Sequence, residues 1–244
     1  MEKKIIIELE SLNDLKNIEA EAEKWGVKLV LIGGYAVRAY TTGYRYTKDM
    51  DFIAKGDIWK LKGFLNSLGY EAEEKKDILA GRKKIDGGYV DLHISIGKVF
   101  DISTGKSYPL TNDIFNSARL LNISGYHEEG RKITVKASVV ALEDLMIMKL
   151  MTKNREKDLI DIVSLLFDQW KNIDLEKLSQ NCASSGLSRH ISDSVLDLVG
   201  KIRKGTFRKI WLDYTGKKMT MKEEQQIAKN LIEIAEKVKS SYIY

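Results

Sequence analysis

Apolar residues near the start of the chain recur at steps of three and four, a spacing that places them on one face of a helix. The pattern covers residues 11–25 and stops at Gly26. A short β-prone run over 27–32 follows and ends at a pair of glycines, after which 35–42 again has the pattern of a helix. The opening of the chain therefore predicts the order helix, strand, glycine turn, helix.

The pattern then changes to alternating strands with one further helix. Alternation of polar and apolar residues predicts strands, and a turn-forming Asp-Gly pair between two such runs predicts a hairpin. The predicted elements are a strand over 49–53, a helix over 57–68, and paired strands over 78–85 and 88–96. Residues 97–135 hold the only proline and are expected to be irregular.

The second half of the chain has few glycines, and its pattern predicts helices. Fourteen of the 18 glycines lie within residues 1–130, and a glycine-poor segment can continue as helix with few breaks. Thr220 and Glu223 form a capping-box pair in front of the last helix. The predicted helices span 141–152, 156–170, 174–183, 188–204 and 221–240. We therefore expect two domains, a mixed α+β domain over 1–135 and an all-helical domain over 136–244.

Composition narrows the class of protein. At 244 residues, with 43% hydrophobic and 31% charged residues, the chain has the make-up of a globular protein rather than a disordered one. Cys182 is the only cysteine, so no internal disulfide forms and a cytoplasmic location is expected. No apolar run is long enough for a signal peptide or a membrane span, and no membrane partner is expected.

Positive charge is concentrated in one stretch. Residues 201–218 contain seven Lys or Arg and one Asp, although the net charge of the whole chain is only +5. Such a stretch can attract a phosphate backbone. Phe207, Trp211 and Tyr214 lie within it and have two interpretations: they stack on RNA bases, or they form the core-facing stripe of an ordinary helix.

Two aspartates are the first candidates for catalytic residues. Asp49 and Asp51 are two residues apart on a predicted strand, so both carboxylates project from the same face. Paired carboxylates of this kind bind the Mg²⁺ ions that neutralise phosphate charge in phosphoryl-type transfer. Asp91, inside an apolar strand, is a candidate third carboxylate, because an unpaired charge there is costly. The backbone N–H groups of Gly33 and Gly34 could approach a phosphate at the start of the next helix.

Three histidines are the other metal-binding candidates, and they are weaker. His93, His127 and His190 have no cysteine or histidine at the spacing that zinc ligands require. We therefore predict structural roles for all three and no zinc site.

Two groups of motifs resemble known nucleotidyltransferases. The first group consists of Gly33-Gly34, Arg45-Tyr-Thr47-Lys-Asp49-Met-Asp51 and Val90-Asp91-Leu92, and it resembles enzymes with a DNA-polymerase-β-like core. The second is residues 142–162, which contain Lys149, Asp158 and Asp161 and look like the helical segment of the AbiEii family. The resemblance covers roughly residues 27–170 and does not extend over 171–244. Members of that family include toxins of type IV toxin–antitoxin systems.

The resemblance implies a role for each matching residue. Asp49 and Asp51 would bind metal, with Asp91 as third ligand, while Gly33 and Gly34 would line the phosphate turn. Lys149 would contact the triphosphate, and Asp158 would act near the attacking hydroxyl or support the site, with Asp161 one helical turn further on. Arg45 is a candidate phosphate contact. The catalytic set implied in this way is Asp49, Asp51, Asp91 and Asp158.

The fold implied by the resemblance is α+β: a polymerase-β-like mixed sheet with flanking helices, followed by an all-helical C-terminal domain that contributes Lys149 and Asp158 to the active-site cleft. The implied activity transfers an NMP from an NTP to an acceptor hydroxyl with Mg²⁺ or Mn²⁺ as cofactor. RNA, by analogy a tRNA 3′ end, is the expected acceptor, and an antitoxin protein is an expected partner. The alternatives are nucleotidylation of a protein or small-molecule hydroxyl, and a catalytically silent module that binds RNA or protein.

Overall fold

The computed structural model describes residues 2–43, 45–75, 78–126, 132–152 and 155–240. The chain divides into two compact units. The first, here called the sheet unit, comprises Met1–Ala39, Tyr46–Val99 and Pro109–Ala141. The second, the helical unit, comprises Tyr40–Arg45, Phe100–Tyr108 and Leu142–Tyr244.

The sheet unit and the segments next to it contain four helices and nine strands among the described residues. In chain order these are α1 (Glu2–Trp25), β1 (Lys28–Ile32), α2 (Gly33–Tyr40), β2 (Met50–Lys55), α3 (Ile58–Ser67), β3 (Glu71–Lys75), β4 (Ile78–Ile85), β5 (Gly88–Ile96), β6 (Lys98–Asp101), β7 (Lys106–Pro109), α4 (Asn112–Asn116), β8 (Arg119–Tyr126) and β9 (Lys132–Val139).

Seven of the strands form one mixed sheet, in the order β3-β4-β5-β2-β1-β9-β8, while β6 and β7 form a separate two-stranded pair. The β2–β5 and β1–β9 pairs are parallel and the other pairs of the large sheet are antiparallel. Strand β2, which begins between the two aspartates, therefore lies between β1 and β5. Its position is central, and the sheet's edges are β3 and β8.

One face of the sheet is packed against helices. The side chains of Val90, Leu92 and Ile94 on β5 are fully buried, and α1 packs against β5, β8 and β9. Leu12 and Leu15 of α1 are fully buried as well, as the three- and four-residue spacing predicted. The alternation along β5 therefore separates a core face from the face that carries Tyr89, Asp91 and His93.

The helical unit contains α5 (Leu142–Met151), α6 (Glu156–Gln169), a 3₁₀ turn (Trp170–Asn172), α7 (Leu175–Ser184), α8 (Ser188–Arg203), α9 (Thr206–Thr215) and α10 (Met221–Ser240). All ten residues of α5 are buried, and α5 packs against α6, α7 and α8. A helix that is buried on all sides needs partners for its polar groups. Asp144, for example, accepts hydrogen bonds from Tyr108 (2.6 Å) and Asn181 (2.8 Å).

The fold class agrees with the α+β expectation: a mixed sheet with flanking helices is followed by helices. The expectation that 97–135 is irregular was wrong, because β6, β7, α4, β8 and part of β9 lie there. Strand β9 pairs with β1 and runs to Val139. The sheet unit accordingly extends to Ala141, beyond the expected boundary at 135.

The basic stretch 201–218 proves to be the end of α8, helix α9 and the turn after it. Phe207 and Trp211 are buried, and the Trp211 ring lies 5.4 Å from that of Phe167. Their spacing thus reflects core packing, and the base-stacking interpretation of these two rings was wrong. Arg208 donates to Glu224 from Nε at 2.6 Å, which engages one of the cations of the stretch. None of the helices in the described part of the chain has the length and apolar character needed to cross a membrane.

Helix α3 offers a test of local stability. The Asp57 carboxylate caps it by accepting from the backbone N–H groups of Trp59 (2.8 Å) and Lys60 (3.3 Å), so Asp57→Ala should lower the free energy of unfolding by about 1 kcal/mol. Thr111, at the N-cap of α4, makes no side-chain capping bond and serves as the control. Urea unfolding should show a loss for Asp57→Ala and little change for Thr111→Ala; equal losses would contradict the assignment.

Candidate active site

Asp49 and Asp51 lie at the start of the central strand β2. Asp51 is the second residue of the strand and pairs in register with Ile32 of β1 on one side and with His93 of β5 on the other. The Asp49 and Asp51 side chains are 40% and 35% exposed. Asp51 is thus positioned by strand pairing, Asp49 directly precedes the strand, and both carboxylates are accessible to a ligand.

Gly33 is fitted closely to Asp51. It begins α2 with φ +72°, a left-handed conformation that side chains other than glycine rarely adopt. A Cβ at this position would lie 2.8 Å from Cβ and 2.9 Å from Cγ of Asp51, and nearer still to Oδ2. Only glycine therefore lets α2 begin directly beside the carboxylate. Gly34 follows in the first turn of α2, where backbone N–H groups lack partners within the helix.

His93 joins this group, although its sequence context predicted only a structural role. Its Nδ1 lies 3.3 Å from Asp51 Oδ1. The hydrogen bond to Asp51 raises the pKa of His93, against the opposing effect of burial. The signal in the sequence was its place two residues after Asp91, which puts both side chains on one face of β5. His190 instead has Nε2 2.8 Å from the carbonyl oxygen of Met151, and His127 lies outside the described residues.

Asp91 is engaged by cations. Arg82 of β4 donates from Nε to Asp91 Oδ1 at 2.7 Å, and the Lys48 ammonium lies 4.0 Å from Asp91 Oδ2 and 3.8 Å from Asp49 Oδ1. Within the described ranges, no three Asp, Glu, His or Cys side chains are grouped closely enough to hold a metal ion. Asp91 is therefore an ion-pair partner in this arrangement.

The chemistry of the donors suits magnesium. Mg²⁺ in nucleotide sites is commonly held by one or two carboxylates, with phosphate oxygens and water completing six ligands. Asp49 and Asp51 supply two such carboxylates, which are 40% and 35% exposed, and the start of α2 lies directly beside Asp51. These residues fit the ion without a third protein ligand.

The helical unit holds the second set of expected site residues as a buried ion cluster. The Lys149 ammonium lies 3.0 Å from Asp158 Oδ1 and 2.8 Å from Asp161 Oδ2. Arg45 binds Asp161 through Nε and Nη2, each at 2.6 Å, and Arg155 donates to Asp158 at 2.6 Å. All three cations thus converge on two carboxylates. The i, i+3 spacing of Asp158 and Asp161 on α6 brings the carboxylates together.

Electrostatics within the cluster favour the charged forms. Burial alone would lower the pKa of Lys149, but Asp161 and Asp158 outweigh it and raise that pKa. Burial likewise would raise the pKa of Asp158, and Lys149 and Arg155 instead lower it. Lys149 was expected to contact the triphosphate and Arg45 the phosphates; in the structure each binds carboxylates of the cluster, and their contact with a nucleotide stays a prediction.

The cluster predicts a strong energetic coupling. Lys149→Met removes a positive charge that balances two buried carboxylates, and it should therefore lower the free energy of unfolding by about 3 kcal/mol. Combined with Asp158→Asn, the loss should be smaller than the sum of the two single losses, by about 0.5–3 kcal/mol. Urea unfolding of the four proteins measures this difference, with Lys157→Met, at an exposed position of α6, as a control expected to change little. Additive losses would contradict the pairing.

Two solved structures from Helicobacter pylori resemble this one. The protein JHP933 superposes with a TM-score of 0.52 at 15% sequence identity, over 95% of this chain and 94% of that one. A second protein, described as a candidate nucleotidyltransferase, has a TM-score of 0.48 at 15% identity, over 95% and 97% of the two chains. At this identity the first likeness shows the fold alone. A search of curated proteins found no match to this sequence.

A family model described as "Nucleotidyl transferase AbiEii toxin, Type IV TA system" matches residues 18–235. The match covers far more than half of the chain and includes helices α7 to α9 and most of α10, beyond the segment 27–170 in which the motifs were recognised. The helical unit is thus part of the family's architecture. The sequence is that of a nucleotidyltransferase, and the chain belongs to the AbiEii toxin family of type IV toxin–antitoxin systems.

Proposed function

We propose that this protein is a metal-dependent nucleotidyltransferase that moves an NMP from an NTP to a hydroxyl group of RNA, with a tRNA 3′ end as the acceptor by analogy. The observation that carries the proposal is the close approach of Gly33 to Asp51, which brings the start of α2 directly beside a pair of accessible carboxylates. Family membership supports the reaction class, and the acceptor and the metal are our inference.

In the proposed reaction, Asp49 and Asp51 would hold Mg²⁺ or Mn²⁺ together with the NTP. The ion would supply neutralisation of phosphate charge and polarisation of the α-phosphate. The acceptor hydroxyl loses its proton to solvent and its oxygen forms a bond to the α-phosphorus, while the bond from that phosphorus to the bridging oxygen breaks and pyrophosphate leaves. Asp91 would join the metal ligands only if its ion pair with Arg82 opened.

The chain's own groups position the phosphates. Backbone N–H groups at the start of α2, beside Gly33 and Gly34, can donate to phosphate oxygens at a helix N-terminus. His93 holds the Asp51 carboxylate from the side of β5. In the helical unit, Lys149, Asp158 and Asp161 hold α5 and α6 together.

A toxin role is part of the proposal. The description of the family supports a type IV toxin–antitoxin pair, in which this chain would be the toxin and a second protein its antitoxin. Expression of the wild-type chain alone should then slow growth, whereas an inactive variant such as Asp51→Asn should not.

The carboxylate pair is the first target for a test. Asp49→Asn and Asp51→Asn should each abolish nucleotidyl transfer while the protein stays folded, because loss of charge weakens metal binding without opening a core cavity. Removal of one of two neighbouring carboxylates also relieves repulsion in the absence of the ion, so the melting temperature should not fall. Asp113→Asn, at an exposed position of α4, is the matched control and should retain activity. Full activity in either site variant would overturn the metal assignment.

The acceptor is identified by a labelling experiment. The protein is incubated with Mg²⁺, total RNA and each α-labelled NTP in turn, and RNA is then separated from protein. Label in the RNA fraction is expected with the wild type and not with Asp51→Asn. Label in protein or in small molecules would replace RNA by the alternative acceptor, and no label with any NTP, together with no rise in melting temperature on adding Mg²⁺ and NTP, would indicate a silent binding module.

A further inference from the structure

A row of alternating charges leads from the carboxylate pair to an exposed aromatic ring. Lys48 lies between Asp49 (3.8 Å) and Asp91 (4.0 Å), and Arg82 binds Asp91 at 2.7 Å. The guanidinium carbon of Arg82 stands 5.2 Å from the centre of the Tyr89 ring. Each residue thus contacts the next or lies within a few ångströms of it, and all five belong to the sheet unit.

The row lies on the side of β5 opposite the core. A Cβ at Gly88 would meet Ile7 of α1 at 3.3 Å, so the side of β5 that carries Gly88 and Val90 faces α1. Tyr89 and Asp91 alternate to the other side. There the Tyr89 side chain is 50% exposed and that of Arg82 60% exposed. Lys84, also exposed, pairs in register with Tyr89.

The order of strands separates two sides of the carboxylate pair. Strand β2 lies between β1, which leads into Gly33, and β5, which carries Asp91. The start of α2 with its backbone donors, the proposed place of the NTP phosphates, is therefore on one side of Asp51. The row of Lys48, Arg82 and Tyr89 is on the other side, which an NTP bound beside α2 would leave available to the acceptor.

We propose that Lys48, Arg82 and Tyr89, here called the acceptor strip, bind the single-stranded end of a nucleic acid acceptor beside Asp49 and Asp51. The tyrosine ring offers a face for stacking a base, and the two cations offer contacts for its phosphates. Stacking requires a base that is free of neighbours, which selects single strands over duplexes. Asp91 acts as a positioning residue that holds Arg82 over the ring. The inference rests on the proposed function and specifies how its acceptor is held.

Charge complementarity favours this occupant over a protein. On β4 and β5, the exposed groups that extend the row beyond Asp91 are two cations and one aromatic ring, Arg82, Lys84 and Tyr89, while the edge strand β3 places the exposed Glu71 opposite Arg82. A polyanion with exposed bases matches both features, because each nucleotide brings one phosphate and one ring. A protein acceptor would match the cations only through acidic side chains and would leave the exposed ring unexplained.

The test is binding of a fluorescent single-stranded oligoribonucleotide to the full chain in the absence of NTP, measured by anisotropy. Tyr89→Ala should weaken binding at least about five-fold, as loss of one base–aromatic stack does, and Tyr89→Phe should bind within about two-fold of the wild type because it keeps the ring. Arg82→Gln should weaken binding and reduce the slope of log K against log salt by about 0.7 unit, the value for one phosphate contact to a single strand. The same sequence as a blunt duplex should bind more weakly than the single strand.

The chain provides a matched control. Trp59 on α3 is 75% exposed, and the Lys62 ammonium lies 5.8 Å from its ring centre. Trp59 and Lys62 thus form a similar cation–aromatic pair on an element that carries neither Asp49 nor Asp51. Trp59→Ala should leave RNA binding unchanged. Circular dichroism and melting temperature confirm that each variant is folded, and Tyr89→Phe and Arg82→Gln retain a readout should Tyr89→Ala not fold.

Several results would overturn the acceptor strip. One is unchanged affinity in both Tyr89→Ala and Arg82→Gln, and another is an equal loss in Trp59→Ala. A third is loss of binding in Lys204→Gln/Lys209→Gln alone, which would place RNA on the exposed face of the basic stretch instead. The two claims are tested by different assays. The binding assay contains no NTP and tests only the acceptor strip, whereas the labelling assay compares transfer by the wild type and by Asp51→Asn and tests the proposed function.

Discussion

The arrangement of the candidate active site depends on a steric constraint between two residues. Asp51 occupies the space that a side chain at position 33 would need, and the positive φ of Gly33 turns the chain from β1 directly into α2. The same contact brings together the accessible carboxylate and the first backbone N–H groups of α2, which have no acceptor within the helix. The proposed site for metal-bound phosphate needs both an anionic and a hydrogen-bond-donating side, and this contact brings the Asp51 carboxylate next to the start of α2.

The sheet then orders the groups around that contact. Antiparallel pairing with β1 places Ile32 beside Asp51, while parallel pairing with β5 places His93 on its other side. The helical unit stabilises its part of the chain differently, by gathering Lys149, Asp158 and Asp161 within a buried cluster. Such clusters contribute little net stability relative to apolar residues, but losing one partner is costly. Kinetic effects of substitutions there must therefore be interpreted together with their effects on folding.

Much of the fold was predictable because local patterns and tertiary packing agree. The hairpin of β4 and β5 and the capping box of α10 appear where the sequence placed them, and Thr220 and Glu223 bond reciprocally as that motif requires. The strands after residue 97 were not predicted. One reason is that an edge strand such as β8 exposes apolar residues: Leu120, for example, is 66% exposed. Alternation of polar and apolar residues predicts a strand less clearly at the edge of a sheet, where one side of the strand has no neighbouring strand.

The site was predictable only in part. Spacing identified Asp49 and Asp51 as sharing a face, and it correctly grouped Asp158 with Asp161. Spacing could not reveal that Arg82 would bind Asp91 or that Lys149 would bind both carboxylates of α6, since these pairings arise from strand register and helix packing. The sequence does not indicate whether the partner of a carboxylate is a metal ion or an arginine.

The most direct test of the central claim is calorimetric titration of the protein with an NTP analogue that cannot release pyrophosphate. Binding is expected with Mg²⁺ and should be lost when the ion is removed by a chelator, and Asp49→Asn should show no binding under either condition. Binding of equal affinity without a divalent cation, or to Asp49→Asn, would contradict the account that these carboxylates hold metal-bound phosphate beside Gly33.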